Sequence, residues 1–130
     1  DEKLSEIDDQ CDLVVLPGGI PGVPNLKTNS KVQAMVKAQN DRGGYVAAIC
    51  AGPTALGAFG VLADKNATCY PGCEDQLMAK RHSTEPVVVD GNVMTSRGVG
   101  TAIEFALKLV EILIDRQTAD DLAEKIVYKR

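Results

Sequence analysis

Tryptophan is absent from this chain, and only five of its 130 residues are aromatic, three Tyr and two Phe. A core must therefore be built from Val, Ile, Leu and Ala. The same scarcity removes the stacking platforms on which single-stranded nucleic acids bind. No basic run occurs, and the net charge of −4 argues against a nucleic-acid partner. No continuous apolar stretch approaches the roughly 18 residues that a bilayer requires, so no membrane partner is expected. The first ten residues, "DEKLSEIDDQ", are acidic and polar, unlike a signal peptide. A soluble, cytoplasmic protein is the expectation. Histidine is nearly absent too, with His82 alone. Together with Cys69 and Cys73 it does not fill a four-ligand zinc set of the usual spacing, so no metal is expected.

What is present fits one globular domain over residues 1–130, with 45% hydrophobic and 25% charged residues. "LVVL", Leu13 to Leu16, is a β-branched run stopped by Pro17-Gly18-Gly19, which reads as a strand buried on both faces. "IPGVPNLKTN" reads as a Pro/Gly-rich loop. In "SKVQAMVKAQND", Val32, Met35 and Val36 share a helical stripe, with Asn29 or Ser30 as N-cap and Gly43-Gly44 as the stop. "YVAAI" is a second buried strand, so the unit is βαβ with parallel strands.

A helix to about Phe59 follows, then a short strand in "ATCY" and a helical turn or two in "CEDQLMAKR". "EPVVVDGNVMTS" reads as a hairpin around Asp90-Gly91. In "TAIEFALKLVEILID" the expected apolar face is Ile103, Ala106, Leu107, Val110 and Leu113 or Ile114, with a Thr101–Glu104 capping box. "TADDLAEKIVY" reads as a closing helix capped by Thr118. The sum is an α/β sandwich. It begins almost at once with a strand and offers few strands, so an N-terminal portion is expected to be missing and a position in the middle of the sheet vacant.

The chemistry concentrates at "YVAAICAGPTALGAFG". Cys50 stands where a buried strand ends and a helix begins, the position at which α/β folds expose a nucleophile above the sheet. Ala51-Gly52-Pro53 suits the turn, since small residues let the backbone bend close to a ligand and proline is preorganised to start a helix. The unpaired amides of a helix start favour a thiolate over a thiol. Pro17-Gly18-Gly19 ends the neighbouring strand at the same edge. A backbone N–H from that turn, with that of Ala51, would form an oxyanion hole for a carbonyl attacked by Cys50. A buried structural cysteine is the alternative reading of the same position. For the four cysteines, Cys11, Cys50, Cys69 and Cys73, a disulfide framework is not expected in a core-forming chain without secretory features.

"VVLPGG", "AAICAGPTAL", "CYPG" and "VMTSRGVGTAIEFALKLVE", in this order, resemble the ThiJ/PfpI family, in its branch around Parkinson disease protein seven and bacterial relatives. The resemblance runs from Leu13 to about Lys129. It implies a flavodoxin-like three-layer α/β sandwich with a mostly parallel sheet, a homodimer, and an oxidation-sensitive elbow cysteine that falls on Cys50. Gly19 and Ala51 fall on positions whose amides line the family's site. Activities proposed in the family include metal-free glyoxalase, deglycase, oxidative-stress sensor and chaperone. The resemblance therefore implies a small carbonyl substrate such as methylglyoxal and no cofactor.

Three features depart from that pattern. The family's glutamate beside the cysteine follows a first strand, and none of Glu2, Glu6, Asp8 or Asp9 does so here. Its absence joins that of the expected first strand–helix–strand. Tyr70 stands where many members carry a histidine, and a tyrosine is a poor base at neutral pH. Ala51 stands where members proposed as proteases carry a histidine, so peptidase activity is not expected. An amidotransferase triad is excluded because no histidine follows His82.

Of the remaining polar candidates, Arg97 resembles a family position near the pocket or dimer interface, which would let it hold an anionic group; a structural ion pair is the alternative. Glu104 is a cap residue, and His82 belongs to a solvated loop or helix end. Cys69 borders the pocket beside Tyr70, whereas Cys11 and Cys73 are ordinary thiols. An enzyme using Cys50 and a sensor oxidised at Cys50 both remain open from sequence.

Overall fold

The computed structural model describes residues 1–8 and 10–130; Asp9, one of the acidic residues considered above, lies outside the described residues. In chain order the elements are β1 (Leu13–Leu16), α1 (Gly22–Thr28), α2 (Ser30–Asp41), β2 (Tyr45–Ile49), α3 (Pro53–Ala58), β3 (Asn66–Ala67), β4 (Arg81–His82), β5 (Val87–Asp90), β6 (Val93–Ser96), α4 (Ala102–Leu113) and α5 (Arg116–Lys125). The main sheet has the order β1-β2-β6-β5. β1, β2 and β6 run parallel, and β5 closes one edge antiparallel to β6.

Period-two alternation along β2 divides the core. Val46 and Ala48 face Leu16, Val32, Val36 and Leu56, under α2 and α3. Ala47 faces Met94 and Phe105, under α4, with Tyr45, Ile49, Leu109 and Ile112 packed around them. Helices thus cover both faces, the three-layer arrangement that a parallel sheet demands. The small side chains of Ala47 and Ala48, both wholly buried, keep the helices close to the central strand.

Several expectations hold and several do not. Asn29 caps α2, its side chain accepting from Lys31 N and Val32 N. The hairpin forms at Gly91, whose φ of +59° is the left-handed conformation such a turn needs. The Pro/Gly segment, however, folds into α1. Pro24 sits in that helix's first turn, where a missing N–H leaves no intrahelical bond unmade. The "ATCY" strand is confined to Asn66–Ala67, which pairs in parallel with Arg81–His82 as a separate small sheet. His82 is therefore an exposed strand residue rather than a loop or helix end.

On α4 the inward stripe is Phe105, Leu109 and Ile112, with Leu107 also buried, while Ile103, Ala106, Leu113 and Ile114 are exposed. The helix is apolar on most sides, so more than one stripe satisfied the helical period, and the sheet took the one carrying the large ring. The capping box does not form. The Thr101 hydroxyl is spent on the preceding turn, and Glu104 is exposed. Asp115, not Thr118, caps α5, accepting from Thr118 N at 2.7 Å. Nor is the middle of the sheet vacant: β1, β2, β6 and β5 are contiguous, and β1 stands at a free edge with Val15 41% exposed.

Candidate active site

β2 ends at Ile49, and the next residue, Cys50, has φ +66°. A non-glycine residue in the left-handed region costs on the order of 1–3 kcal/mol and persists only where its surroundings hold it. Two backbone bonds do so. Cys50 N–H donates to Ser96 O at 3.0 Å, and Cys50 O accepts from Tyr70 N–H at 2.8 Å. The elbow is tied on one side to the end of β6 and on the other to the loop after β3.

Glycines make room for it. A Cβ on Gly18 would lie 2.7 Å from Cys50 Cβ and 3.2 Å from Cys50 Sγ, so the end of β1 passes directly against the thiol-bearing side chain. A Cβ on Gly52 would lie 2.6 Å from Leu16 O, which lets the elbow lie flat on the β1 turn. Pro53 then opens α3, and Thr54 fixes the Ala51 carbonyl through its N–H at 3.1 Å and its hydroxyl at 2.6 Å. Cys50 is half-buried, neither sealed in the core nor fully exposed.

The amides of Gly18, Gly19 and Ala51 have no protein acceptor among the described residues. Gly19 has φ +97°, a conformation open to glycine and strained for other residues. The Ala51 N–H shares a peptide plane with Cys50 O and points antiparallel to it. The Tyr70 bond to that oxygen therefore also sets the direction of the free Ala51 amide. Gly18 lies against Cys50 and Ala51 follows it in the elbow, with Gly19 the next residue along the β1 turn.

Tyr70, 51% exposed, is brought to the same edge. Its ring lies over Gly98, where a Cβ would approach Cδ2 to 3.4 Å. Cys73 N–H donates to Tyr70 O at 3.0 Å across a turn in which Gly72 has φ +98°. The turn after β6 is organised by Thr101, whose hydroxyl accepts from Arg97 N and Gly98 N and contacts Ser96 Oγ at 2.7 Å. Sequence reasoning missed this use of Thr101 and the Ser96 carbonyl; "SRGVGT" carried the signal, as two glycines just ahead of a hydroxyl residue.

Arg97 is half-buried and, among the described residues, makes no ion pair and has a buried Nε without an acceptor. Its charge reaches Cys69 and Glu74. Cys69 does not line a pocket. It is fully buried, and desolvation, reinforced by the negative charge of Glu74, pushes its thiol up to about 11. Glu74 is held below the usual carboxylate range by hydrogen bonds from its own N–H and then from Gly72 N–H. Cys11 is an exposed thiol and Cys73 a half-buried one. A cavity of about 550 Å³ lined by Glu104, Arg116 and Tyr128 holds none of the elbow residues. No group of three His, Cys, Asp or Glu among the described residues could hold a metal, and no described helix is long and apolar enough to cross a membrane.

Comparison with known proteins shows likeness in sequence and fold. The model of the DJ-1/PfpI family matches residues 1–112. The chain is 45% identical over 121 residues to a Parkinson disease protein 7 homolog of Danio rerio, covering 91% of this chain and 64% of that relative. It is 37% identical over 117 residues to the glutathione-independent glyoxalase DJR-1.2 of Caenorhabditis elegans, covering 88% and 62%. The crystal structure of Drosophila melanogaster DJ-1beta superposes with a TM-score of 0.85 at 38% identity, over 98% of this chain and 68% of that one. An oxidised Toxoplasma gondii DJ-1 superposes at 0.87 and 34% identity, over 98% and 68%. The chain thus spans a little under two thirds of the zebrafish and nematode relatives' length. Elbow, sheet order and sequence lead to one conclusion: this chain belongs to the DJ-1/PfpI family.

Proposed function

We propose that Cys50 is the nucleophile of a cofactor-free glyoxalase or deglycase acting on small reactive carbonyls such as methylglyoxal. The observation that carries this is the left-handed cysteine at the strand–helix elbow, with Gly18 against its sulfur and the free amide of Ala51 next in the chain. The nematode glyoxalase supports the substrate class. In the reaction, Cys50 Sγ bonds to the aldehyde carbon, and the carbonyl π pair moves to oxygen. In this reading the amides of Gly19 and Ala51, with Gly18 alongside, stabilise that oxyanion. Protonation gives a hemithioacetal. Transfer of a proton from this carbon to its neighbour gives a thioester, which water cleaves to lactate and the free thiol.

Proton transfer needs a base, and Tyr70 is a poor one. We assign that role to a carboxylate from polypeptide outside these 130 residues, docked at the free edge of β1, in a cytoplasmic homodimer. The test is lactate production from methylglyoxal by the protein in its longest natural form. Wild type makes lactate and Cys50→Ser makes none. If both make it equally, the assignment is wrong.

The second reading is an oxidative-stress sensor or chaperone in which Cys50 is oxidised to the sulfinic acid without turnover. The half-buried Cys50 supports it equally, and the similar Toxoplasma gondii DJ-1 is known in an oxidised form. A protein that makes no lactate but gains two oxygen atoms at Cys50 in dilute peroxide is the sensor.

A further inference from the structure

Valine would fill the third position of β6 as well as threonine does. The strand reads Val93-Met94-Thr95-Ser96, and all four residues are buried, Thr95 with 1% of its surface left. A hydroxyl there costs desolvation that a methyl group of the same shape would not, so it needs a partner. That partner is the main chain of a distant loop. Thr95 Oγ1 accepts the Thr68 N–H at 2.9 Å, in a buried contact. Thr68 itself is wholly buried. The bond leads to the elbow. In the register of β2 on β6, Ala48 lies beside Thr95 and Ile49 beside Ser96. The next residue is Cys50, whose N–H donates to Ser96 O at 3.0 Å. On its other side, Cys50 O accepts at 2.8 Å from Tyr70 N–H, two residues beyond Thr68. The end of β6 thus grips Cys50 twice, directly through the Ser96 carbonyl and, through the Thr95 hydroxyl, by way of the Thr68–Tyr70 segment.

We propose that Thr95 is a positioning residue for the elbow. By holding the Thr68 amide it keeps the Tyr70 amide on Cys50 O, and so fixes the peptide plane whose other side is the Ala51 N–H. Its effect on turnover rests on the reading of Cys50 as a carbonyl-binding nucleophile; its effect on the backbone does not. Without the hydroxyl, the Thr68 N–H is buried with no acceptor, a loss that corresponds to about tenfold in the equilibrium between the docked and released segment. A cysteine at φ +66° stays there only while its surroundings hold it. Once Tyr70 lets go of the carbonyl, the plane is free to turn and the Ala51 amide loses its aim.

The experiment compares wild type, Thr95→Val, Thr95→Ser and Asn29→Ala in the longest natural form of the protein. Asn29→Ala is the stability control, since it removes the α2 cap and touches nothing at the elbow. Amide hydrogen exchange at Tyr70 and the kinetics of lactate production from methylglyoxal are both measured. Thr95→Val should speed Tyr70 exchange about tenfold and lower kcat about tenfold with KM little changed, because the Ala51 amide acts on the oxyanion rather than on the bound aldehyde. Thr95→Ser, which keeps the hydroxyl, should restore both, and Asn29→Ala should move neither. If Thr95→Val does not fold, wild type decides: the Thr68 and Tyr70 amides should open together with the same protection, and a Tyr70 amide far less protected than that of Thr68 overturns the assignment. So does Tyr70 exchange that is unchanged in Thr95→Val, that rises equally in Asn29→Ala, or that rises with no fall in kcat. A wild type that makes no lactate sinks the enzyme reading instead, and the Thr95 dependence of Tyr70 exchange then decides the positioning role alone.

Discussion

Gly18 and Cys50 are 32 positions apart in the chain and pack so closely that one added methyl group has nowhere to go. A Cβ at residue 18 meets Cys50 Cβ, which is anchored to backbone and cannot swing aside. Gly18→Ala should therefore slow alkylation of Cys50 by about tenfold or more, read as a second-order rate with iodoacetamide; an unchanged rate would show that the elbow yields freely. Cys69 supplies a contrasting thiol. It is buried, so it should be labelled only after denaturation. Its raised ionisation also has a sign for stability. The folded state holds this proton more tightly than the unfolded chain, so its contribution is complete below the ordinary thiol value of 9.0 and is lost as pH rises toward about 11. Urea midpoints measured across that window should fall for wild type and fall less for Cys69→Ala.

At the scale of elements, legibility followed how many solutions the local pattern allowed. β1, β2 and the β5–β6 hairpin were readable because short β-branched runs bounded by Gly and Pro or by Asp-Gly admit few alternatives. The elbow was readable for the same reason: a strand ending at Cys50, then Ala-Gly-Pro. α4 was readable as a helix but its buried face was not, since a helix apolar on most sides satisfies several stripes, and only the facing Ala47 and Met94 choose Phe105. That choice is measurable. Phe105→Ala should cost about 3–5 kcal/mol in urea unfolding, whereas Ile114→Ser, 65% exposed, should stay within about 0.5. The α1 helix was hidden by two prolines and a glycine, which punctuate loops in general but are tolerated in a first turn. Asn29→Ala should cost about 1 kcal/mol, because two α2 amides at 3.0 Å lose their acceptor.

The whole molecule is asymmetric. Its sheet has two edge strands, the antiparallel β5 and the parallel β1, and the β1 edge carries a half-exposed Val15. Edges of this kind are normally paired, covered or charged. The assignment of further polypeptide to this edge predicts that an intact-mass spectrum of the natural protein exceeds 13.8 kDa. The β1 amides facing away from β2 should exchange faster in the isolated 130-residue chain than in that longer form. A monodisperse 13.8 kDa species with full activity would refute it. Sequence alone placed a vacancy in the middle of the sheet, because strand count carries no information on strand order; the contiguous order β1-β2-β6-β5 leaves none there.

Competition at the sulfur is the most direct measurement of all. With the native protein, limited iodoacetamide and peptide mapping, Cys50 should be alkylated, and methylglyoxal should slow that reaction while leaving the exposed Cys11 unaffected. Equal rates at Cys50 with and without methylglyoxal, or an elbow thiol that never reacts, would contradict the account.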